Sequence, residues 1–194
     1  MSSHILTRMS EKECEDMRLL IVMISSLCIL SACHITQQSK TVKEVNMYLE
    51  NGDKSGTAAL KEDPDGVEIH LKLKGLSPGY HGLHLHEKAA CKGSKFKQAG
   101  NHFNPDDKEH GLLYPKGPHV GDLKNIEADK DGEVDTKVIA EDTSLLTEKA
   151  KSLTAGEGTS LIVTSEADDG MTQISGNSGD RIICGEIKTK DSDK

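Results

Sequence analysis

The chain has 194 residues, of which 35% are hydrophobic and only 3% aromatic, and its formal net charge is −8. This length suits one domain of ordinary size, and the sequence shows no sign of a second hydrophobic core. Lysine and arginine are scattered rather than gathered into a stripe, which argues against a protein that binds nucleic acid. A core without Trp must be packed with Val, Ile, Leu and Ala, and this favours a small β structure.

The first 33 residues are typical of an export signal. An apolar run over residues 19–30 ends in the tetrapeptide LSAC and is too short to span a bilayer comfortably. The tetrapeptide resembles the lipobox of bacterial lipoproteins, in which the cysteine, here Cys33, is lipidated; a buried apolar helix or an ordinary cleaved signal is the alternative. We therefore expect an extracytoplasmic protein anchored to membrane lipid. Acidic residues stand where a signal is normally basic, so translation begins either at Met1 or at Met17.

The remaining chain divides into three parts. Residues 34–41 are polar and without apolar periodicity, which predicts a flexible tether. Strand patterns begin at residue 42, so we expect one domain over residues 42–188. Residues 189–194 are predicted to be a polar tail without structure of its own.

Two cysteines remain in the predicted domain once Cys14 and Cys28 leave with the signal and Cys33 carries lipid. In an exported protein the remaining pair, Cys91 and Cys184, is expected to form a disulfide. It would close a loop of roughly 90 residues, which by chain-entropy reasoning stabilises the fold by about 4 to 5 kcal/mol.

Short strand patterns recur along the domain, separated by clusters of turn residues. The clearest pattern covers residues 67–74, where apolar residues alternate with polar ones and His70 falls on the polar face. The other predicted strands cover residues 42–50, 55–62, 82–87, 120–128, 133–141, 159–165 and 181–188. These eight short strands predict an all-β fold, an antiparallel Greek-key barrel or sandwich, of which we favour the barrel. Two long segments without strand patterns, 88–119 and 166–180, are expected to be functional loops.

Histidines provide two sets of candidate metal ligands. His84 and His86 are two residues apart on a predicted strand and therefore leave the same face, but paired surface histidines are common and this pattern is weak alone. The second set is much more specific: three histidines and one carboxylate complete a tetrahedral zinc site without an open position. This set would organise the long loop, and its members are His102, His110, His119 and Asp122.

Six motifs then occur in the order found in the copper/zinc superoxide dismutases, and the resemblance covers essentially all of residues 42–188. They are GYHGLHLHE, AGNHFNP, the spacing from His110 to Asp122, EADD, GNSGDR and ICGEI. The resemblance implies that His84 and His86 bind copper and that His102 bridges copper and zinc. It also implies that the other three ligands complete the zinc site.

The resemblance assigns roles to further residues. Asp168 is similar to the carboxylate that joins the two metal sites, although it could be an ordinary loop acid. Arg181 is similar to the guanidinium that guides superoxide, although it could be a surface cation. His81 matches a histidine that supports the loop, and Cys91 and Cys184 match the intrachain disulfide of the family.

One position departs from the family pattern. Where the family has a fourth copper histidine, aligned on the Ala-Asp-Asp motif, this chain has Thr164. A hydroxyl is a poor replacement because copper favours imidazole and thiolate donors. We therefore expect weakly held copper, and a protein that converts superoxide to oxygen and hydrogen peroxide by copper redox cycling with impaired activity. The alternative is a non-catalytic lipoprotein domain that is zinc-stabilised or sequesters copper; the sequence is compatible with a homodimer in either case.

Overall fold

The computed structural model describes residues 42–189. The expected signal over residues 1–33, the lipidation site Cys33, the tether over residues 34–41 and the tail beyond Thr189 lie outside the described residues. Within residues 42–189, the structure contains no helix with the length and apolar content that a membrane crossing requires.

Seven antiparallel strands form one curled sheet, and two further strands form a separate pair. The sheet follows the order β5 (Leu83–His86), β8 (Thr159–Thr164), β9 (Arg181–Ile187), β1 (Val42–Leu49), β2 (Lys54–Asp63), β3 (Gly66–Leu73) and β7 (Val134–Glu141). The separate pair consists of β4 (Gly79–His81) and β6 (Ile126–Ala128). Strand β5 is therefore an edge strand, and its open side faces the segment that follows it.

Alternating side chains explain how the sheet encloses its core. On β3, Val67, Ile69 and Leu71 are fully buried, whereas Lys72 is exposed and His70 is partly exposed. Each fully buried aliphatic side chain contributes about 1.5 to 3 kcal/mol relative to an exposed one. The inner residues of the other strands join the same cluster, so the core is built from aliphatic side chains as the composition predicts.

The predicted fold class is confirmed, with a different division into strands. The segment 120–128 was expected to be one strand, but only Ile126–Ala128 pairs regularly. The preceding residues turn instead, since the Asp122 N–H donates to the His119 carbonyl and Asp122 meets β5 in a single bridge at His84. Together with β4, which the sequence did not indicate, this gives nine strands in place of eight.

Two long segments connect the strands at the end of the sheet near β5. Residues 88–119 contain one 3₁₀ turn, Ser94–Ala99, and residues 166–180 contain no strand or helix. The predicted disulfide is confirmed: Cys91 at the start of the first segment is bonded to Cys184 on β9, with 5.6 Å between the Cα atoms. The bridge fixes the first segment to the sheet.

Candidate metal centre

Strand β5 positions the first two histidines on one face of the sheet edge. His84 pairs with Ile162 of β8 and His86 pairs with Ser160, so both imidazoles leave the same side. Both side chains are essentially inaccessible to solvent. The edge strand thus holds two buried imidazoles two residues apart, as the sequence pattern predicts.

The carboxylate of Asp122 lies at the centre of three imidazoles. Its Oδ1 is 2.8 Å from Nδ1 of His102, 3.1 Å from Nδ1 of His110 and 3.2 Å from Nδ1 of His119. The four candidate ligand atoms all lie within 4.8 Å of one another. The other oxygen, Oδ2, accepts hydrogen bonds from the N–H groups of Gly111 and His119. The carboxylate is thereby oriented by the backbone, and three ring nitrogens of the same type converge on it.

Asp168 connects this cluster to β5. Its Oδ2 is 2.6 Å from Nε2 of His84, and its Oδ1 is 3.2 Å from Nε2 of His110. The amide of Asn125 holds the Asp168 backbone, accepting from its N–H and donating to its C=O at 3.0 and 2.9 Å. Because each ring uses Nε2 for Asp168, its Nδ1 is left for another partner.

On the side of the centre formed by β5, two buried ring nitrogens have no hydrogen-bond partner among the described residues. They are Nδ1 of His84 and Nε2 of His86. The ring of His102 stacks on His84 at 4.1 Å between centroids and meets the ring of His86 at 4.9 Å. The Nδ1–H of His86 can donate to the Gly100 carbonyl at 3.1 Å, which assigns lone-pair character to Nε2. Buried polar atoms normally have a partner, so these two nitrogens point to an absent ligand.

Thr164, at the end of β8, lies near Gly82 and the ring of His84. Its N–H donates to the Gly82 carbonyl, and a Cβ on Gly82 would crowd the Thr164 hydroxyl and lie 3.0 Å from Cε1 of His84. The side chain of Thr164 is therefore on the same side of the sheet as His84. Its hydroxyl donates to the Glu166 carbonyl at 3.2 Å. The Thr164 hydroxyl, at the position where the family pattern leads us to expect a histidine, thus already has a hydrogen-bond partner.

Arg181 borders the opening of the centre. A pocket of about 470 Å³ is lined by residues that include His102, His119, Ile174 and Arg181. The guanidinium donates to the carbonyls of Phe96 at 3.2 Å and of Gly100 at 2.9 Å. Burial lowers the pKa of Arg181 from its usual value, but a guanidinium stays charged in proteins. The pocket therefore offers a fixed positive charge next to the imidazoles.

Burial keeps two of the imidazoles neutral. It is the main reason that the pKa of His102 falls to about 4, although the hydrogen bond to Asp122 acts in the opposite direction. Burial also holds the pKa of His86 well below its ordinary value, and the neighbouring His102 adds to this effect. Neutral imidazole is the form that binds metals.

The two carboxylates remain ionised. Burial by itself raises the pKa of Asp122, but hydrogen bonds from three histidines outweigh it and hold the pKa far below the usual range. The pKa of Asp168 is lowered in the same way by His110 and His84, against the effect of burial. Burial lowers the pKa of His110, and its bonds to both carboxylates overcome this and raise it to about 9. A metal ion at this cluster would displace the proton from His110.

Two other histidines have different roles. His81 is buried between the carbonyls of Thr164 and Ser77, each 2.8 Å from a ring nitrogen, so it supports the chain as expected. His70 lies on the outer face of the sheet and pairs with Asp135 at 2.6 Å. Neither histidine reaches the centre.

Sequence reasoning did not single out Asn125, Gly100 or Gln173, which contact the centre through the backbone. Asn125 holds Asp168, the Gly100 carbonyl joins His86 to Arg181, and Gln173 bonds to the backbone of His110. Asn125 follows Asp122 by three residues, Gly100 belongs to the motif AGNHFNP, and no feature of the sequence distinguishes Gln173.

The fold and the centre can be compared with known proteins. The family model of copper/zinc superoxide dismutase (SODC) matches residues 54–187. The superoxide dismutase-like protein YojM of Bacillus subtilis is 39% identical over 155 residues, 79% of this chain and 79% of that protein. Superoxide dismutase (Cu-Zn) 2 of Aquifex aeolicus is 39% identical over 168 residues, 86% of this chain and 96% of that protein.

A solved structure agrees with these sequence matches. The crystal structure of a SOD-like protein from Bacillus subtilis superimposes with a TM-score of 0.73 at 39% identity, covering 76% of this chain and 99% of that one. The chain belongs to the copper/zinc superoxide dismutase family.

Proposed function

We propose that the domain over residues 42–188 is an exported, lipid-anchored superoxide dismutase-like protein with a complete zinc site, an incomplete copper site and impaired activity. The observation that carries this proposal is the pair of unpartnered buried nitrogens on His84 and His86, next to the Asp122 cluster. Family membership supports superoxide as the substrate.

The zinc assignment is supported by the donor set. Three Nδ1 atoms and one carboxylate oxygen are the ligands of a closed tetrahedral zinc site. His102, His110, His119 and Asp122 supply these atoms within 4.8 Å of one another. A closed site has no position for substrate, so we assign this metal a structural role. It stabilises a segment that contains no strand and little apolar core of its own.

The copper assignment is supported by three nitrogen donors and opposed at one position. His84 and His86 each direct a free ring nitrogen inward, and His102 lies between the two halves of the centre. Thr164 supplies only a hydroxyl, and copper prefers imidazole. We therefore expect three protein ligands and weaker copper binding than a four-histidine site would give.

The surrounding residues suit a small anion. Arg181 provides the positive charge beside the pocket, and its two carbonyl contacts fix its direction. This local charge matters because the chain as a whole is negative. Copper, when bound, would supply one-electron chemistry: it would take an electron from one superoxide, which leaves as oxygen, and pass it to the next, which takes up two protons from solvent and leaves as hydrogen peroxide. Burial lowers the pKa of His86 and of His102, which keeps these two imidazoles neutral and ready to bind metal.

A second candidate function is a non-catalytic domain that sequesters copper or is only stabilised by zinc. The observation that favours it is Thr164, whose hydroxyl is already bonded to the Glu166 carbonyl. The two functions differ in turnover, because a sequestering site binds copper without dismutation.

Metal content and dismutase activity should be measured together on the native protein and on Thr164→His. We expect native protein to hold close to one zinc and less copper, with low activity per copper. Thr164→His should gain copper retention during dialysis, and activity, without a change in zinc. Thr147→His, at an exposed position between β7 and β8, is the matched control and should change neither quantity. Native protein that retains copper fully without any dismutation would favour sequestration.

Export and lipid attachment are a further part of the proposal. The disulfide between Cys91 and Cys184 supports an oxidising compartment. Expression with a labelled fatty acid tests the anchor: native protein should carry label in the membrane fraction, and Cys33→Ala should carry none. Label that persists in Cys33→Ala would overturn the assignment of Cys33.

A further inference from the structure

The side-chain amide of Gln173 makes two hydrogen bonds to the backbone of His110. The His110 N–H donates to Oε1 of Gln173 at 3.0 Å, and Nε2 of Gln173 donates to the His110 carbonyl at 2.8 Å. The same amide also reaches the Met171 carbonyl at 3.3 Å. The amide therefore pairs with His110 much as a neighbouring strand would.

His110 depends on this contact. The residue is fully buried, and within residues 42–189 no other group bonds to its N–H or its carbonyl. Buried backbone groups that lack a partner are costly, so the amide satisfies two groups that the segment 88–119 leaves open. Gln173 itself is exposed, and its amide caps the buried backbone from outside.

The ring of His110 lies between the two carboxylates of the centre. Its Nδ1 faces Asp122 at 3.1 Å and its Nε2 faces Asp168 at 3.2 Å. A ring that must satisfy two carboxylates at once tolerates little movement of its backbone. Asn125 holds the backbone of Asp168 by the same kind of two-point amide contact. Both partners of the contact between His110 and Asp168 are thus held by side-chain amides.

We propose that Gln173 is a positioning residue for the zinc site, acting through the backbone of His110. This inference rests on the zinc site proposed for His102, His110, His119 and Asp122. It assigns to the segment 166–180 a role in holding a ligand of the other segment. Loss of an outer partner of a metal ligand typically lowers metal affinity by about 10-fold to 100-fold, and we expect this range for Gln173.

Three variants of the full domain test the proposal. Gln173→Met keeps the length of the side chain and removes both hydrogen bonds. Gln173→Glu keeps an acceptor for the His110 N–H but cannot donate to the carbonyl. Thr172→Val is the control, because the Thr172 hydroxyl bonds only to Asp169 within its own segment. Zinc affinity is measured by chelator competition, and ligand geometry by the visible spectrum of the cobalt(II)-substituted protein.

We expect Gln173→Met to lose about 10-fold to 100-fold in zinc affinity and to shift the cobalt bands. Gln173→Glu should fall between it and the native protein, and Thr172→Val should match the native protein. Native affinity and an unchanged cobalt spectrum in Gln173→Met would overturn the proposal. If Gln173→Met does not fold, Gln173→Glu decides by the same two measurements. Native protein that takes up neither zinc nor cobalt would overturn the zinc site, and the role of Gln173 with it.

Discussion

The zinc half and the copper half of the centre are built on different kinds of structure. The proposed zinc ligands occur over residues 102–122, in a segment without a regular strand or helix. The proposed copper ligands His84 and His86 are on β5, and Thr164 ends its neighbour β8, so all three are fixed by the sheet. We therefore expect a side-chain change at position 164 to leave the fold intact, and the loss of a proposed zinc ligand to disturb a whole loop.

The largest effect is expected from removing the carboxylate of the proposed zinc site. Asp122→Ala removes one proposed ligand and leaves the imidazoles of His102, His110 and His119 without the carboxylate that they share. We expect zinc affinity to fall by about 100-fold or more, at or beyond the upper end for losing an outer partner. Zinc-dependent stabilisation against urea should disappear with it, because metal binding to such sites contributes directly to folding.

The control for Asp122→Ala is Asp135→Ala, which removes an exposed carboxylate that also contacts a histidine. Zinc affinity measured by chelator competition on both variants distinguishes the loss of a metal ligand from the loss of a carboxylate that only contacts a histidine. Native zinc affinity in Asp122→Ala would mean that the cluster is held by its hydrogen bonds and not by metal.

The disulfide gives the next largest effect, on stability. The double variant Cys91→Ser with Cys184→Ser opens a loop whose ends are 93 residues apart. Its free energy of unfolding should fall by about 2 to 5 kcal/mol, measured by urea denaturation of metal-free protein.

The same variant also sharpens the comparison of the two halves. The bridge anchors the segment whose Gly100 carbonyl bonds to His86 and Arg181. Copper retention should therefore fall more than zinc affinity. Equal losses of both metals would show that the bridge supports the loop as a whole.

Sequence reasoning was most successful where a residue acts through its own side chain. The strand pattern around β3, the convergence of the four zinc-type residues and the disulfide can all be read from spacing and residue type. Contacts that pass through the backbone leave no such pattern. Gly100 acts through its own carbonyl, and Gln173 bonds to the N–H and carbonyl of His110, which are groups that every residue carries. Which residues meet in this way depends on how two irregular segments fold against each other.

The sequence pattern also predicted one strand that is longer than the observed strand, and the reason is related. Residues 120–128 have a strand-like composition, but the Asp122 carboxylate contacts three imidazoles and the chain turns at this point. A local sequence pattern does not show such tertiary contacts. Only Ile126–Ala128 keeps the predicted conformation.

A smaller effect is expected from changing Asp168, the carboxylate that contacts a histidine of the proposed copper site and a histidine of the proposed zinc site. Asp168→Asn keeps the shape but weakens the hydrogen bonds to Nε2 of His84 and of His110. We expect copper affinity to fall by about 10-fold to 100-fold, as for other outer partners. Zinc affinity should fall less, because Asp122 still orients His110 through Nδ1.

Asp169→Asn is the matched control for this change. Its carboxylate bonds only to Met171 and Thr172 of the same segment, so both metal affinities should stay native. Copper and zinc titrations of the two variants make the comparison. A larger loss of zinc than of copper in Asp168→Asn would reverse the assignment of the two halves.

The smallest effect is expected outside both halves, at His70. Its Nε2 lies 2.6 Å from Asp135, the same distance that separates His84 from Asp168. The side chains of the outer pair are 30% and 65% exposed, whereas those of the inner pair are 0% and 8% exposed. Water competes for the outer pair, so its contribution is small.

His70→Gln should therefore leave zinc affinity, copper retention and dismutase activity unchanged. A matching His84→Gln should lose copper, because it removes a buried nitrogen that has no other partner. Metal analysis of the two variants under identical dialysis provides the test. If His70→Gln also lost copper, the outer face of the sheet would have to contribute to metal binding. The distance between an imidazole and a carboxylate does not define a metal site by itself; burial and an unsatisfied second nitrogen do.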